Sequence, residues 1–260
     1  RDGEEETVMR GFEKIGRNTF AASCFVGDNP AYVLTSDGVV IIDPPQLPSI
    51  AVGLCEELTE AGVRYIINTE HHPDHTFGNY FFRNAGAVVG HSLLGERFMT
   101  APGLDCYEKN RAETEANDRN GMKHFPAREE YWDHCMRPTI EFETSMKLIV
   151  GSHEFELTHT GGHCRDQICV FCPQEGIVFC GDTIFSNVQI FFAEADPYIQ
   201  LRALDFIETL DAEVIVPGHG AVCGKRVVAE NRGFILEWLG AVETGIGKGW
   251  TREECMDRVS

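Results

Sequence analysis

The sequence predicts an α/β protein in which two β-sheets pack together and helices cover their outer faces. Two observations carry that expectation. Apolar, β-branched runs give way to stretches of helical periodicity, and this alternation occurs twice along the chain. Polar loops offering histidine or aspartate fall where four of the predicted strands end, and glycines beside three of them let the backbone turn sharply.

Residues 20–26 and 31–34 read as strands, and Thr35-Ser36-Asp37-Gly38 as the hairpin turn into a strand over 39–43. Pro44, Pro45 and Pro48 stop the sheet, and residues 50–61 have helical periodicity ended by Gly62. A strand over 63–67 leads to Glu70-His71-His72-Pro73-Asp74-His75. A helix is expected over 76–84, a short strand over 87–90, and a helix capped by Ser92 through Met99. Residues 101–137 are dense in charged and amide side chains and poor in Val, Ile and Leu. They read as a long polar insert: a lid, a substrate-shaping segment, a contact surface for a second copy of the chain, or a solvated excursion. Strands resume over 139–142, 146–150 and 153–157, the last two joined at Gly151-Ser152, and then over 168–172 and 177–180. A helix over 198–210, a strand over 213–216, a long helix over 225–242 and a short helix opening at Thr251 complete the chain.

With 260 residues and 43% hydrophobic side chains, the chain suits one domain with a real core and is no disordered acidic tail. No apolar run approaches membrane-spanning length. The net charge of -19, from 22 basic and 41 acidic residues, argues against a nucleic-acid partner, because phosphate backbones need a Lys/Arg surface. Ten cysteines scattered between Cys24 and Cys255 suit free thiols in a reducing compartment, so a cytoplasmic location is expected, although a start at Arg1 leaves room for a trimmed leader. Cys169 and Cys172 have CxxC spacing but lie inside an apolar run, where strand packing explains them.

The loop after residue 67 carries the chemistry. In an extended segment alternate side chains share a side, so Glu70, His72 and Asp74 point one way and His71 the other. A turn after Asp74 swings His75 back toward them. Imidazoles and carboxylates concentrated in this way are what a divalent metal site needs, with a solvated polar turn as the alternative. The later loops add His159 and His163, Asp182, and His219 in Pro217-Gly218-His219.

In this order and spacing the residues resemble the metallo-β-lactamase-fold superfamily, whose HxHxDH motif is followed by a His in a Gly-rich loop, an Asp after Gly, and a His in a PGH loop. The resemblance runs through the whole chain and implies a four-layer αββα sandwich with a dinuclear site at the mouth of two mixed sheets. One metal would take Glu70, His72 and His163, the other Asp74, His75 and His219, with Asp182 bridging. The chain departs from the family where Glu70 replaces the first histidine. Three ligating carboxylates and a bridging hydroxide would then balance two divalent cations in formal charge, which makes the site a weaker Lewis acid and more hospitable to harder metals. Zinc is the first expectation, with iron or manganese as contenders. The resemblance implies hydrolysis of an ester, lactone, thioester or amide in a small molecule by the bridging hydroxide, which Asp74 would orient. Di-iron redox chemistry and a non-catalytic binding role are the alternatives. His159, Asp166, Thr183, Ser186 and Asn187 flank the ligand loops as candidate supporting residues, and Cys164 and Cys180 adjoin ligands. Phe191 and Phe192 suit either an apolar pocket or the core. His91, His124, His134 and His153 are expected as ordinary surface or strand histidines.

Overall fold

The computed structural model describes residues 11–100 and 104–258. The first sheet has seven strands: β1 (Glu13–Lys14), β2 (Thr19–Ala21), β3 (Ala31–Thr35), β4 (Gly38–Ile42), β5 (Val63–Ile67), β6 (Ala87–His91) and β7 (Ile140–Phe142), in that order. β1 to β4 form an antiparallel meander, and β4 to β7 run parallel. The second sheet comprises β8 (Ser145–Val150), β9 (His153–His159), β10 (Ile168–Cys172) and β11 (Ile177–Phe179), with β13 (Val214–Val216) at its edge, parallel to β11. Two short strands, β12 (Phe185–Ser186) and β14 (His219–Gly220), pair beside it.

Strand parity builds the layers. In β4, Val40 and Ile42 face Phe155, Leu157, Ile168 and Val170 of the second sheet. The alternate residues Val39 and Ile41 face outward, where Ala51 and Leu54 of helix α1 (Pro48–Glu57) cover them with Leu58 just beyond. On the other outer face, Cys169, Phe171 and Ile215 pack beneath Leu204 and Ile207 of α6 (Pro197–Thr209) and Val228 and Ile235 of α7 (Arg226–Gly247). The result is the expected αββα sandwich. Cys169 and Cys172 sit on opposite faces of β10, one in each core, and the nine cysteines whose side chains are described are free thiols.

Three expectations change. The strand predicted over 20–26 is confined to Thr19–Ala21, after which the chain runs through bends to β3. In place of a helix over 76–84 there is a single α turn, α2 (Pro73–Thr76), and a 3-10 stretch over Phe77–Phe81. The insert is helical where described: α3 (Ser92–Thr100) is followed by α4 (Leu104–Asn117), a 3-10 turn over Gly121–His124, and α5 (Arg128–His134). Its periodicity escapes an apolar count because the inward face of α4 is built from Tyr107, Asn110 and Thr114, of which two are polar. Asn110 accepts a hydrogen bond from Gln46 Nε2 at 2.5 Å, and the Thr114 hydroxyl donates to the Asn110 carbonyl at 2.7 Å, so burial leaves neither unpaired. The insert is fixed to the body by an aromatic cluster in which the Phe77 ring lies 5.1 Å from Tyr131 and 5.3 Å from Phe125. Among the described residues no helix is long and apolar enough to cross a membrane.

Candidate metal centre

The loops after β5, β9, β11 and β13 converge at one mouth of the sandwich and bring all seven sequence-predicted donors together. Their ligand atoms form two groups: Glu70, His72, His163 and Asp182; and Asp74, His75 and His219. His163 Nε2 lies 3.5 Å from Glu70 Oε1, 3.3 Å from Asp182 Oδ2 and 3.3 Å from His72 Nδ1. His219 Nε2 lies 3.4 Å from Asp74 Oδ2 and 3.2 Å from Asp182 Oδ1. His75 Nε2 is 3.4 Å from both Asp182 Oδ1 and Glu70 Oε1. Asp182 thus turns one oxygen to each group.

These separations suit donors around a cation better than donors bonded to one another. Ligands about 2.1 Å from a tetrahedral ion stand roughly 3.4 Å apart, whereas an N–H···O bond spans about 2.9 Å. Glu70 Oε1, His75 Nε2 and Asp182 Oδ1 are buried without a hydrogen-bond partner, which is costly unless something else satisfies them. The donor set therefore fits divalent metal. One contact is shorter: Glu70 Oε2 sits 2.6 Å from His72 Nδ1, a close charged pair.

Without metal, the imidazoles and carboxylates hold one another charged. Burial disfavours protonation of His72, but the Glu70 carboxylate overrides it and lifts the ring to about 9. His219 is likewise desolvated, and the carboxylates of Asp182 and Asp74 beside it raise it to about 10. Burial alone would raise Asp74, yet His75 and His219 hold it down at about 2. Against the same desolvation, His219 and His75 keep Asp182 well below the usual carboxylate range, and His75 and His72 lower Glu70.

Local structure aims each donor. Asp43, directly after β4, adopts the left-handed region at φ 47°. Its carboxylate accepts from the Thr69 backbone N–H at 2.8 Å, the Thr69 hydroxyl at 2.5 Å and His75 Nδ1–H at 2.9 Å. That last bond fixes the His75 tautomer with Nε2 turned to the other donors. Asn29 ties the first sheet to the His219 loop, donating from Nδ2 to the Pro217 and Gly220 carbonyls at 2.9 and 2.6 Å and from its backbone N–H to Gly218 at 2.8 Å. Gly218 packs so tightly on Asp182 that a Cβ there would collide with both the carboxylate and the backbone. Asp28 is buried 4.0 Å from His75 Nδ1, and desolvation lifts its carboxyl well above the usual range. Asp28, Asn29, Asp43 and Thr69 were not singled out by sequence; only the strand-end place of Asp43 was a signal.

The flanking residues sort themselves. His71 turns to Asp166, its Nδ1 2.8 Å from Oδ1, and its ring lies 4.5 Å from that of His72, because residues 69–72 form bends and not the extended segment expected. Cys164 Sγ–H donates to Glu70 Oε2 at 3.4 Å. His159 instead donates to the Arg165 carbonyl and stacks on His91 at 3.8 Å. Thr183 and Cys180 lie beside Cys169 in the outer core, Ser186 pairs within β12, and Asn187 takes a left-handed turn at φ 58°. His153 is a buried strand residue bound to Glu175 at 3.0 Å. Phe191 and Phe192 part company: Phe191 walls the cleft above the donors, and Phe192 stacks on Trp238 at 4.9 Å. The cleft measures about 520 Å³ and is lined by Phe25, Phe185, Val188 and Phe191 around His72, Asp74, Asp182 and His219.

Comparison with known proteins agrees with this geometry. The family model of the metallo-beta-lactamase superfamily matches residues 25–219. A probable hydroxyacylglutathione hydrolase of Schizosaccharomyces pombe is 28% identical over 203 residues, covering 74% of this chain and 64% of that protein. A hydroxyacylglutathione hydrolase of Thermosynechococcus vestitus is 23% identical over 196 residues, 75% of this chain and 62% of its own. The chain thus spans a little under two thirds of the length of these relatives. Among solved structures, a metallo-beta-lactamase from Pontibacter korlensis superposes with a TM-score of 0.66 at 18% identity, covering 86% of this chain and 98% of that one. From the shared fold and the family match over most of its length, the chain belongs to the metallo-beta-lactamase superfamily.

Proposed function

We propose that this protein is a metal-dependent hydrolase of an ester, lactone, thioester or amide bond in a small molecule. The observation that carries the reading is a pair of donor groups sharing Asp182 at the floor of a cleft with apolar walls. The relatives' names, hydroxyacylglutathione hydrolase, put thioester cleavage first among these bonds. Glu70, His72 and His163 would hold one ion and Asp74, His75 and His219 the other, with Asp182 between them; zinc is the leading candidate. Divalent ions held there polarise an acyl oxygen and acidify a water molecule.

The chain's own groups do the rest. Asp74, held near 2, stays ionised at neutral pH and accepts a hydrogen bond that orients the attacking water. Asp43 holds the His75 ring in place, and Phe25, Phe185, Val188 and Phe191 shed water from the apolar part of the acyl compound. The test is a panel of activated esters, lactones and thioesters offered to protein whose metal content has been measured, with Asp74→Ala alongside. Turnover that falls at least a hundredfold in the variant is expected. A fully loaded protein that cleaves none of them would refute the proposal.

The buried third carboxylate favours a second reading, redox chemistry at iron, since Glu70 suits the ferric state. A reversible ferric absorbance band in aerobically purified protein would support it, and a colourless zinc protein would exclude it.

A further inference from the structure

We infer that Lys109 is a specificity-determining residue that binds a carboxylate or similar anion on the substrate, remote from the bond cleaved. This rests on the hydrolase reading and names its substrate class: an acyl compound with an apolar body and one anionic end.

Among the described residues lining the cleft, Lys109 is the one lysine or arginine; the rest are apolar, neutral polar, or donors of the metal centre. It lies on α4, whose register is pinned by its neighbour Asn110, buried and bonded to Gln46 at 2.5 Å. Gln46 in turn packs against Gly27, which also lines the cleft. The ammonium is thus carried on a fixed helix at the cleft wall, not on a loose loop. Lys109 is exposed and makes no salt bridge among the described residues, whereas its helix neighbours Glu108 and Arg111 pair with Arg128 and Glu115.

Charge gives this residue its leverage. The chain carries a net charge of -19, so its overall field repels anions. With Glu70 among the donors, three carboxylates would offset most of the charge of two divalent ions, leaving the centre with little surplus positive charge to attract an anion. The carboxylate of Glu194 stands 3.9 Å from His72 Nε2, outside the lining of the cleft, and would repel an anion on that side. An anionic end is therefore steered toward α4, with its apolar body against Phe25, Val188 and Phe191.

The test measures binding to metal-loaded protein by titration calorimetry, using 4-phenylbutanoate and its uncharged isostere 4-phenylbutanamide. Wild-type protein is expected to prefer the carboxylate about fivefold to tenfold at low salt. That preference should vanish in Lys109→Ala, invert in Lys109→Glu and persist in Lys109→Arg. The same preference in all four proteins, or none in the wild type, would overturn the inference. Binding needs no turnover, so the two readings fail separately. A Lys109-dependent preference without hydrolysis of any acyl compound would sink only the hydrolase reading. Hydrolysis with a preference indifferent to residue 109 would sink only this one.

Discussion

Glu70→Gln is the most direct probe of the carboxylate at the position where the family has histidine. The side chain is fully buried, and the amide keeps its shape while removing its charge. In the metal-free protein Glu70 lifts His72 from the ordinary 6.5 to about 9. A histidine raised on folding contributes stability that is complete below its unfolded value and disappears as pH climbs through its folded value. Between 6.5 and about 9, the contribution at pH 7 is about 2–3 kcal/mol, at roughly 1.36 kcal/mol for each pH unit. Loss of the attraction to His75 adds to this and relief of repulsion from Asp182 offsets part of it, so a loss of at least about 2 kcal/mol is expected. Urea unfolding of chelator-treated protein should show that loss at pH 7 and a clearly smaller one at pH 10, where His72 is neutral in both proteins and only the His75 pairing remains. An NMR titration of the His72 ring should find it displaced toward 6.5 in the variant. Equal destabilisation at both pH values, or an unmoved ring, would refute the electrostatic account of Glu70.

Two further outcomes follow from the same geometry. His72 at about 9, His219 at about 10 and His75, which burial opposes but Glu70 and Asp43 raise well above the ordinary imidazole range, hold protons at pH 7, and a metal must expel them. Affinity should rise as pH increases toward 9, with about three protons released per loaded chain at pH 7, read by calorimetry in buffers of different ionisation heat; no proton release would contradict the assignment. Gly218→Ala drives a methyl into Asp182, so the variant should lose about 1–3 kcal/mol of stability and at least half its metal by elemental analysis. Full metal content in that variant would show that Asp182 is not held by this contact.

Where burial follows period two, the sheets are legible in sequence: Val39 to Ile42 alternate between the two cores as the pattern requires. The donors are legible for a related reason, because each lies just beyond an apolar strand, three of them beside glycine. What escaped has a common physical cause. The inward face of α4 is carried by Asn110 and Thr114, which satisfy their own hydrogen bonds and so leave no apolar stripe to count. Asp43 acquires its role from Thr69 and His75, partners supplied by the neighbouring strand's loop. Lys109 means nothing until the fold carries its helix to the cleft.

Phe77 follows immediately on the turn that bears Asp74 and His75, and its ring is wedged between Phe125 and Tyr131. The segment that shapes the cleft and the segment that supplies two donors are therefore keyed into one another. Transplanting residues 104–134 from a homologue would pull on the donors unless the matching aromatic came with them. Selectivity in this lineage should consequently be retuned by single replacements along the exposed side of α4, not by exchanging the helix as a cassette.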